Sequence, residues 1–182
     1  MKLQKIYVEG ANILLASLIT VISPAVMAES SARINYSGTL IALPCTIVPG
    51  MENLYVDMGI TATKSLYRFN RTAGKVFEFY LEDCDTSLGN AITATITGPM
   101  TSEGLLQFSP SSEAKGAGIG LEYLDGRPIP INNGTEYKVP LRDGDMTIRM
   151  KAYVQGEATA LANKTLVPGN FSAVMTYTMS YE

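Results

Sequence analysis

Two cysteines, Cys45 and Cys84, are the only thiols in this 182-residue chain. Their wide separation offers neither the CxxC-like spacing nor the perturbed thiol of a redox couple. In an oxidising compartment the chemistry open to them is a structural disulfide. Closing a loop of about 40 residues stabilises by about 4 kcal/mol in the chain-entropy picture. Glu82, Asp83 and Asp85 crowd around Cys84 and could offer oxygens to calcium. That ion, however, takes six or more ligands from a defined loop, and a solvated turn is the simpler reading. Ser112-Glu113-Ala114-Lys115 has the SxxK spacing of penicillin-binding enzymes, but no KTG or SDN element accompanies it. Gly116-Ala117-Gly118-Ile119-Gly120-Leu121 looks like a dinucleotide loop, yet its sixth position is Leu121 and its flanks do not read as strand and helix. The chain has no histidine, which removes Ser-His-Asp and Cys-His catalysis, His-ligated metals and imidazole acid-base work together. No catalytic residue, metal or cofactor is expected.

The elements that would carry these residues are β-strands. Charged residues make up 17 % of the chain, below the roughly 25 % usual for globular proteins, while 16 glycines and 9 prolines supply frequent turns. The apolar share of 46 % suffices for one core, and the length suits one domain with a short appendage. A net charge of −3 without a basic block gives a nucleic acid no counterions to release, and nothing points to a small-molecule substrate.

Lys2 and Lys5, an apolar run from Ile13 to Ile22, and Val26-Met27-Ala28 have the layout of a secretory signal peptide over residues 1–28. A short membrane anchor is the alternative, although the run is well under the ~20 residues needed to span a bilayer. Cleavage after Ala28 removes Lys2, Lys5 and Glu9 and shifts the charge from −3 to one unit more negative.

Beyond that point apolar and polar residues alternate with period two, broken by turn clusters, with no useful 3.6-residue period. The predicted strands are 33–42, 45–48, 53–58, 75–82, 91–97, 119–124, 135–140, 145–154 and 171–181. Short strands at this spacing imply a β-sandwich, and the Ser/Gly/Glu-rich stretch 101–118 reads as a long mobile loop. Alternation is clearest at the two ends. In the last stretch Phe171, Ala173, Met175, Tyr177, Met179 and Tyr181 form one face, against Ser172, Val174, Thr176, Thr178 and Ser180. Near the start Ile34, Tyr36, Gly38, Leu40 and Ala42 alternate against Asn35, Ser37, Thr39, Ile41 and Leu43. A glycine in the middle of an apolar face is a weakness in an ordinary strand, since it packs nothing and loses more entropy on ordering.

These features together resemble the pilin subunits of chaperone-usher fimbriae of Gram-negative bacteria. The resemblance rests on the signal peptide, the arm with its central glycine, Pro44-Cys45, the partner Cys84, Gly169 fourteenth from the end, and Tyr181 next to last. It covers essentially the whole chain after the signal peptide. It implies an all-β, incomplete immunoglobulin-like β-sandwich missing its last strand, with an N-terminal donor-strand extension over residues 29–43 and the pilin domain over residues 44–182. The implied partners are a periplasmic pilus chaperone, an outer-membrane usher and neighbouring pilin subunits, along a route through the periplasm to a fimbrium on the cell surface. Ile34, Tyr36, Gly38, Leu40 and Ala42 would be donated to a neighbour. Gly169, the odd row from Phe171 to Tyr181, and the terminal carboxylate of Glu182 would meet the chaperone and border the open groove. Strand addition of this kind uses main-chain pairing for affinity and alternate side chains for register.

Position within the fibre is less determined. A tip adhesin needs an additional lectin domain for which this chain has no room. The spelling of the arm and of the Pro-Cys junction resembles P-pilus-type minor subunits, which favours a minor or adaptor subunit. A major rod subunit or a terminator shares both termini, and a self-complete secreted sandwich that binds a ligand is the alternative from another class.

Overall fold

The computed structural model describes residues 31–132 and 137–182. The signal peptide, the first two residues of the arm, the Asn133-Gly134 turn and the start of the 135–140 strand lie outside the described residues. The chain divides into two units, Met1–Thr39 and Leu40–Glu182. In the first, residues 31–39 form no strand and are exposed. Residues 40–42 are likewise exposed without strand pairing, so the strand expected over 33–42 is absent. A strand is held by a partner's ladder, and alternation alone supplies none.

The second unit begins with β1 (Thr46–Ile47), α1 (Thr63–Phe69), β2 (Lys75–Cys84), β3 (Ala91–Thr97) and β4 (Leu106–Gln107). It continues through β5 (Ala117–Glu122), β6 (Pro128–Ile129), β7 (Tyr137–Pro140), β8 (Gly144–Gly156), α2 (Ala158–Asn163) and β9 (Thr176–Tyr181). One sheet runs β1-β2-β8-β5-β4, with β6 also on β5, and the other runs β7-β3-β9. Phe77, Ile119, Leu121, Met150 and Val154 from the first sheet and Ile96 from the second share one core cluster, which makes the arrangement a sandwich. A second cluster surrounds the Cys45–Cys84 disulfide with Leu81, Ile92, Leu141 and Ile148.

Period-two alternation decides which residues reach that core. In β2, Phe77 and Leu81 are buried and Phe79 half-buried, while Val76 and Tyr80 are exposed. The next inward position should be Asp83. Instead the β2–β8 register shifts between Leu81 and Cys84, and Asp83 takes a left-handed φ of 52°. This bulge reverses the phase, so that Cys84 rather than Asp83 is buried and meets Cys45. The acidic residues beside it form no metal cluster among the described residues.

The glycine-rich motif belongs to β5. Ala117, Ile119 and Leu121 face the core cluster, and Gly118, Gly120 and Glu122 take the other face. Gly120 pairs with Tyr153 of β8, and a Cβ there would lie 2.2 Å from the ring, so glycine leaves room for the tyrosine to lie over the strand. The Arg71 guanidinium stacks 4.3 Å above the Tyr153 ring and donates to Glu122 Oε2 at 2.7 Å. Lys151, opposite Glu122 in register, completes the cluster at 3.2 Å. Burial pushes the Glu122 carboxyl up, but the hydrogen bonds from Arg71 and Lys151 outweigh it and hold the group below its ordinary range.

Other expectations change. The stretch 101–118 is no featureless loop: it contains β4, the start of β5, and buried Leu105, Phe108, Ser112 and Ala114. Ser112, the nucleophile position of the SxxK match, instead accepts from Ser172 N at 3.0 Å. The 53–58 strand is absent although its alternation survives, because chain direction changes at the turn closed by Met51 N to Val48 O and the segment does not rejoin a ladder. The 171–181 strand shortens to β9. Its first residues bond instead to the 109–114 segment, with Ser172 O accepting from Ser109 N at 2.7 Å and Asn170 O from Glu113 N at 2.9 Å.

Candidate strand-docking groove

β9 pairs antiparallel with β3 from Thr176 opposite Thr97 to Tyr181 opposite Ile92. Among the described residues no strand pairs with its other edge. Such an edge presents unpaired main-chain groups and is normally shortened, charged or covered. Here the outward residues Thr176, Thr178 and Ser180 are neutral and exposed, so the edge lacks the charges that would discourage pairing.

The inward row is equally unfinished. Phe171, Ala173, Met175, Tyr177, Met179 and Tyr181 are all half-buried, while the β3 residues beside them, Ile92, Ala94 and Ile96, are at most 3 % exposed. The chain's other apolar row, Leu54, Val56 and Met58, is also half-buried and packs on the same core cluster as Phe171, Met175 and Tyr177. Two rows with the side-chain pattern of strands therefore border one core. The row at Leu54, Val56 and Met58 was legible as alternation in the predicted 53–58 strand, but sequence reasoning gave it no part in the groove.

Aromatic packing fixes the row. Phe171 stacks on Phe108 at 4.6 Å, and Tyr177 on Phe79 at 4.7 Å. A groove of about 570 Å³ opens where Phe108, Ala114 and Pro99 meet Val174 and Thr176, at the point where the chain leaves the 109–114 segment to become β9. Gly169 precedes that passage with a φ of 152°, and a Cβ there would stand 2.4 Å from Glu113 Cβ. Its place is thus a tight crossing beside the groove strand.

The Tyr177 hydroxyl is buried and has no hydrogen-bond partner among the described residues. Burial, then the neighbouring Tyr137 and Tyr181, push its pKa far above the ordinary tyrosine value. Tyr181 is raised by burial and points its hydroxyl toward Cys45 O at 3.4 Å, which ties the row's end to the disulfide region. Glu182 closes the row: its main-chain oxygen accepts from Asn90 N at 2.5 Å, and its side chain reaches across β3 to Thr93 and on to Lys138 of β7. The hydrogen bond from Lys138 lowers the Glu182 carboxyl below its ordinary value. Neither Thr93 nor Lys138 carried a signal in the sequence, since contacts across three strands have no local spacing.

Of the residues expected in the arm, Ile34, Tyr36 and Leu40 are 70 %, 89 % and 101 % exposed, Ala42 is exposed, and Gly38 has nothing within 4 Å of a built Cβ. Among the described residues no helix is long and apolar enough to cross a membrane.

Comparison with known proteins adds four findings. A family model described as Fimbrial protein matches residues 34–182. The Major MR/P fimbria protein of Proteus mirabilis (strain HI4320) is 31 % identical over 185 aligned positions, covering 100 % of both chains. The Fimbria A protein of Serratia marcescens is 30 % identical over 154 positions, covering 85 % of this chain and 86 % of that one. In fold, the chain is similar to the crystal structure of the P pilus rod subunit PapA, with a TM-score of 0.65 and 19 % identity over 77 % of this chain and 100 % of that one.

Proposed function

The chain belongs to the fimbrial protein family, and from that premise we propose that it polymerises by donor-strand exchange as a minor or adaptor subunit of a chaperone-usher fimbria. It is a structural subunit of a pilus with the pilin immunoglobulin-like fold, and its family is not one of enzymes. The half-buried odd row from Phe171 to Tyr181, on a strand with one neighbour, carries the exchange reading. An added strand in the groove would pair with the free edge of β9 and cover that row in one step. The arm of a neighbouring subunit supplies such a strand, and this chain's own arm, residues 29–43, does the same for a neighbour's groove, with Ile34, Tyr36, Leu40 and Ala42 filling it and Gly38 crossing a shallow part of it.

Before assembly the same edge is occupied by a strand of the periplasmic chaperone. The outer-membrane usher then exchanges it for the arm, and the fibre emerges at the cell surface. The terminal carboxylate of Glu182 meets a basic anchor in the chaperone cleft, which sets the register of the alternating side chains. Removal of Met179 to Glu182 is expected to abolish the soluble chaperone complex. A complex that survived this deletion would contradict the role given to β9.

The test of exchange uses a synthetic peptide of residues 29–42 incubated with the chaperone complex of the natural neighbour and scored for chaperone release. The wild-type peptide should displace the chaperone and a Gly38→Arg peptide should not, because an unpaired charge buried in an apolar groove costs more than the roughly 2 to 7 kcal/mol of an unpaired neutral polar group. Equal release by both would remove Gly38 from the mechanism. A major rod position is the second reading, favoured by similarity over the full chain to a protein named as a major fimbria protein. The same assay separates the positions: a rod subunit's arm should enter its own groove, whereas an adaptor's should prefer another subunit's.

A further inference from the structure

From the methionines of the open row we infer that Met175 and Met179 are an oxidation site that closes the groove to an incoming strand, an inference resting on the strand-docking reading above. Both lie on the half-buried face of the C-terminal segment, Met175 against the main core cluster and Met179 against the cluster around the disulfide. The contrast within the molecule is with Met150 of β8, fully buried at 0 % exposure, and Met146, at 9 %. Met100 is 39 % exposed on the surface outside the row. Met175 and Met179 thus lie between the sealed pair and the surface Met100, and Met58, half-buried against the same core cluster from the 54–58 row, shares their intermediate exposure.

A peroxide is the co-reactant. The thioether sulfur attacks one peroxide oxygen, an S–O bond forms as the O–O bond breaks, and the second oxygen leaves as water after gaining the transferred proton. Sulfur loses two electrons and the peroxide gains them. The product, methionine sulfoxide, is polar and chiral where the thioether was apolar and adaptable. In the open groove the new oxygen is hydrated. A docked strand would strip that water, and of its groove-facing side chains only an aromatic hydroxyl such as that of Tyr36 could offer a donor in return. A strand already docked covers both sulfurs and slows the approach of peroxide to them, so assembly and oxidation oppose each other.

The experiment treats the mature chain with hydrogen peroxide, maps each methionine by mass spectrometry and measures uptake of a synthetic peptide of the N-terminal arm of the natural neighbour that docks on it. Met175 and Met179 should oxidise at least tenfold faster than Met150, and uptake should fall at least tenfold as they do. Peptide bound beforehand should protect these two at least tenfold and leave Met100 unprotected. In a Met175→Leu/Met179→Leu chain, uptake should be the same before and after peroxide whatever its starting level, while Met100→Leu and Met58→Leu chains should lose uptake on oxidation like the wild type. The protection measurement needs no variant and decides the question even if the double substitution fails to fold. Uptake that persists with both sulfurs oxidised, or oxidation unaffected by bound peptide, would overturn this inference and leave the docking reading standing. No uptake by the untreated chain would overturn the docking reading and this inference together.

Discussion

β8 and β9 carry the same alternation and are covered to different depths. Along β8 the inward residues Met146, Ile148, Met150, Ala152 and Val154 are all 9 % exposed or less, whereas along β9 Tyr177, Met179 and Tyr181 remain half-buried. Polarity does not separate them, since both rows are mainly apolar and sulfur-containing, aliphatic in β8 and aromatic in β9. Neighbours do: β8 lies between β2 and β5, and β9 has β3 alone. Alternation marks a residue as fit for a core, while the number of flanking strands decides whether that core is finished. The closed side is where the folding energy is concentrated, and the open side holds apolar surface whose burial awaits a partner.

The largest test of this division is at the disulfide on the closed side. Replacing Cys45 and Cys84 by alanine should lower stability by about 4 kcal/mol in urea unfolding, since it frees a loop of about 40 residues. Equivalent truncations in the two rows come next. Met150→Ala should cost about 3 kcal/mol whether or not the arm peptide is present, because it leaves a cavity. Met175→Ala should cost less than about 1 kcal/mol in the chain alone and more once a strand covers the site. Equal costs in the uncomplemented chain would break the comparison.

Glu122→Gln should destabilise by about 2 kcal/mol, less than the roughly 3 to 5 kcal/mol seen for fully buried pairs, because Arg71 and Lys151 can turn to water. Its folded pKa is depressed, so this contribution is present above the ordinary glutamate value of about 4.3 and is lost as pH falls through the lower folded value. Acid unfolding below about pH 4 should therefore be shallower in the variant. An effect of opposite sign is expected at the open row, where Tyr177→Phe removes an unpaired buried hydroxyl and should stabilise by about 1 kcal/mol. Because burial raises the folded pKa of Tyr177, wild-type stability should decline as pH rises above about 10, and the phenylalanine variant should lose less. A matching alkaline decline in both proteins would assign it to other tyrosines.

Long alternating stretches were legible in the sequence, and β3 occupies the predicted 91–97 span. What escaped was either short or non-local. The helices α1 and α2, of 7 and 6 residues, each bury one side chain, Leu66 and Ala160, and so never display a helical period. The segments 33–42 and 53–58 alternate like strands and pair with no strand among the described residues, because a ladder requires a neighbour that a single segment's sequence cannot specify. Cys84 faces inward through a bulge at Asp83 that strict alternation would have placed one residue away. At the candidate site the odd row from Phe171 could be read directly. The grip of Thr93 and Lys138 on Glu182 depended on three strands lying side by side.

The cluster of Gly120, Tyr153, Glu122, Arg71 and Lys151 works on the β5–β8 seam as a parity check. β5 is buried on both faces, so hydrophobicity alone distinguishes poorly between its two faces. Slid by one residue, the strand would turn Glu122 into the apolar interior, away from both cations, and would place a side chain beneath the Tyr153 ring where only glycine now lies. A misaligned chain would thus fail at a carboxylate and at a ring simultaneously, and the seam tolerates one alignment even before the rest of the sandwich has closed around it.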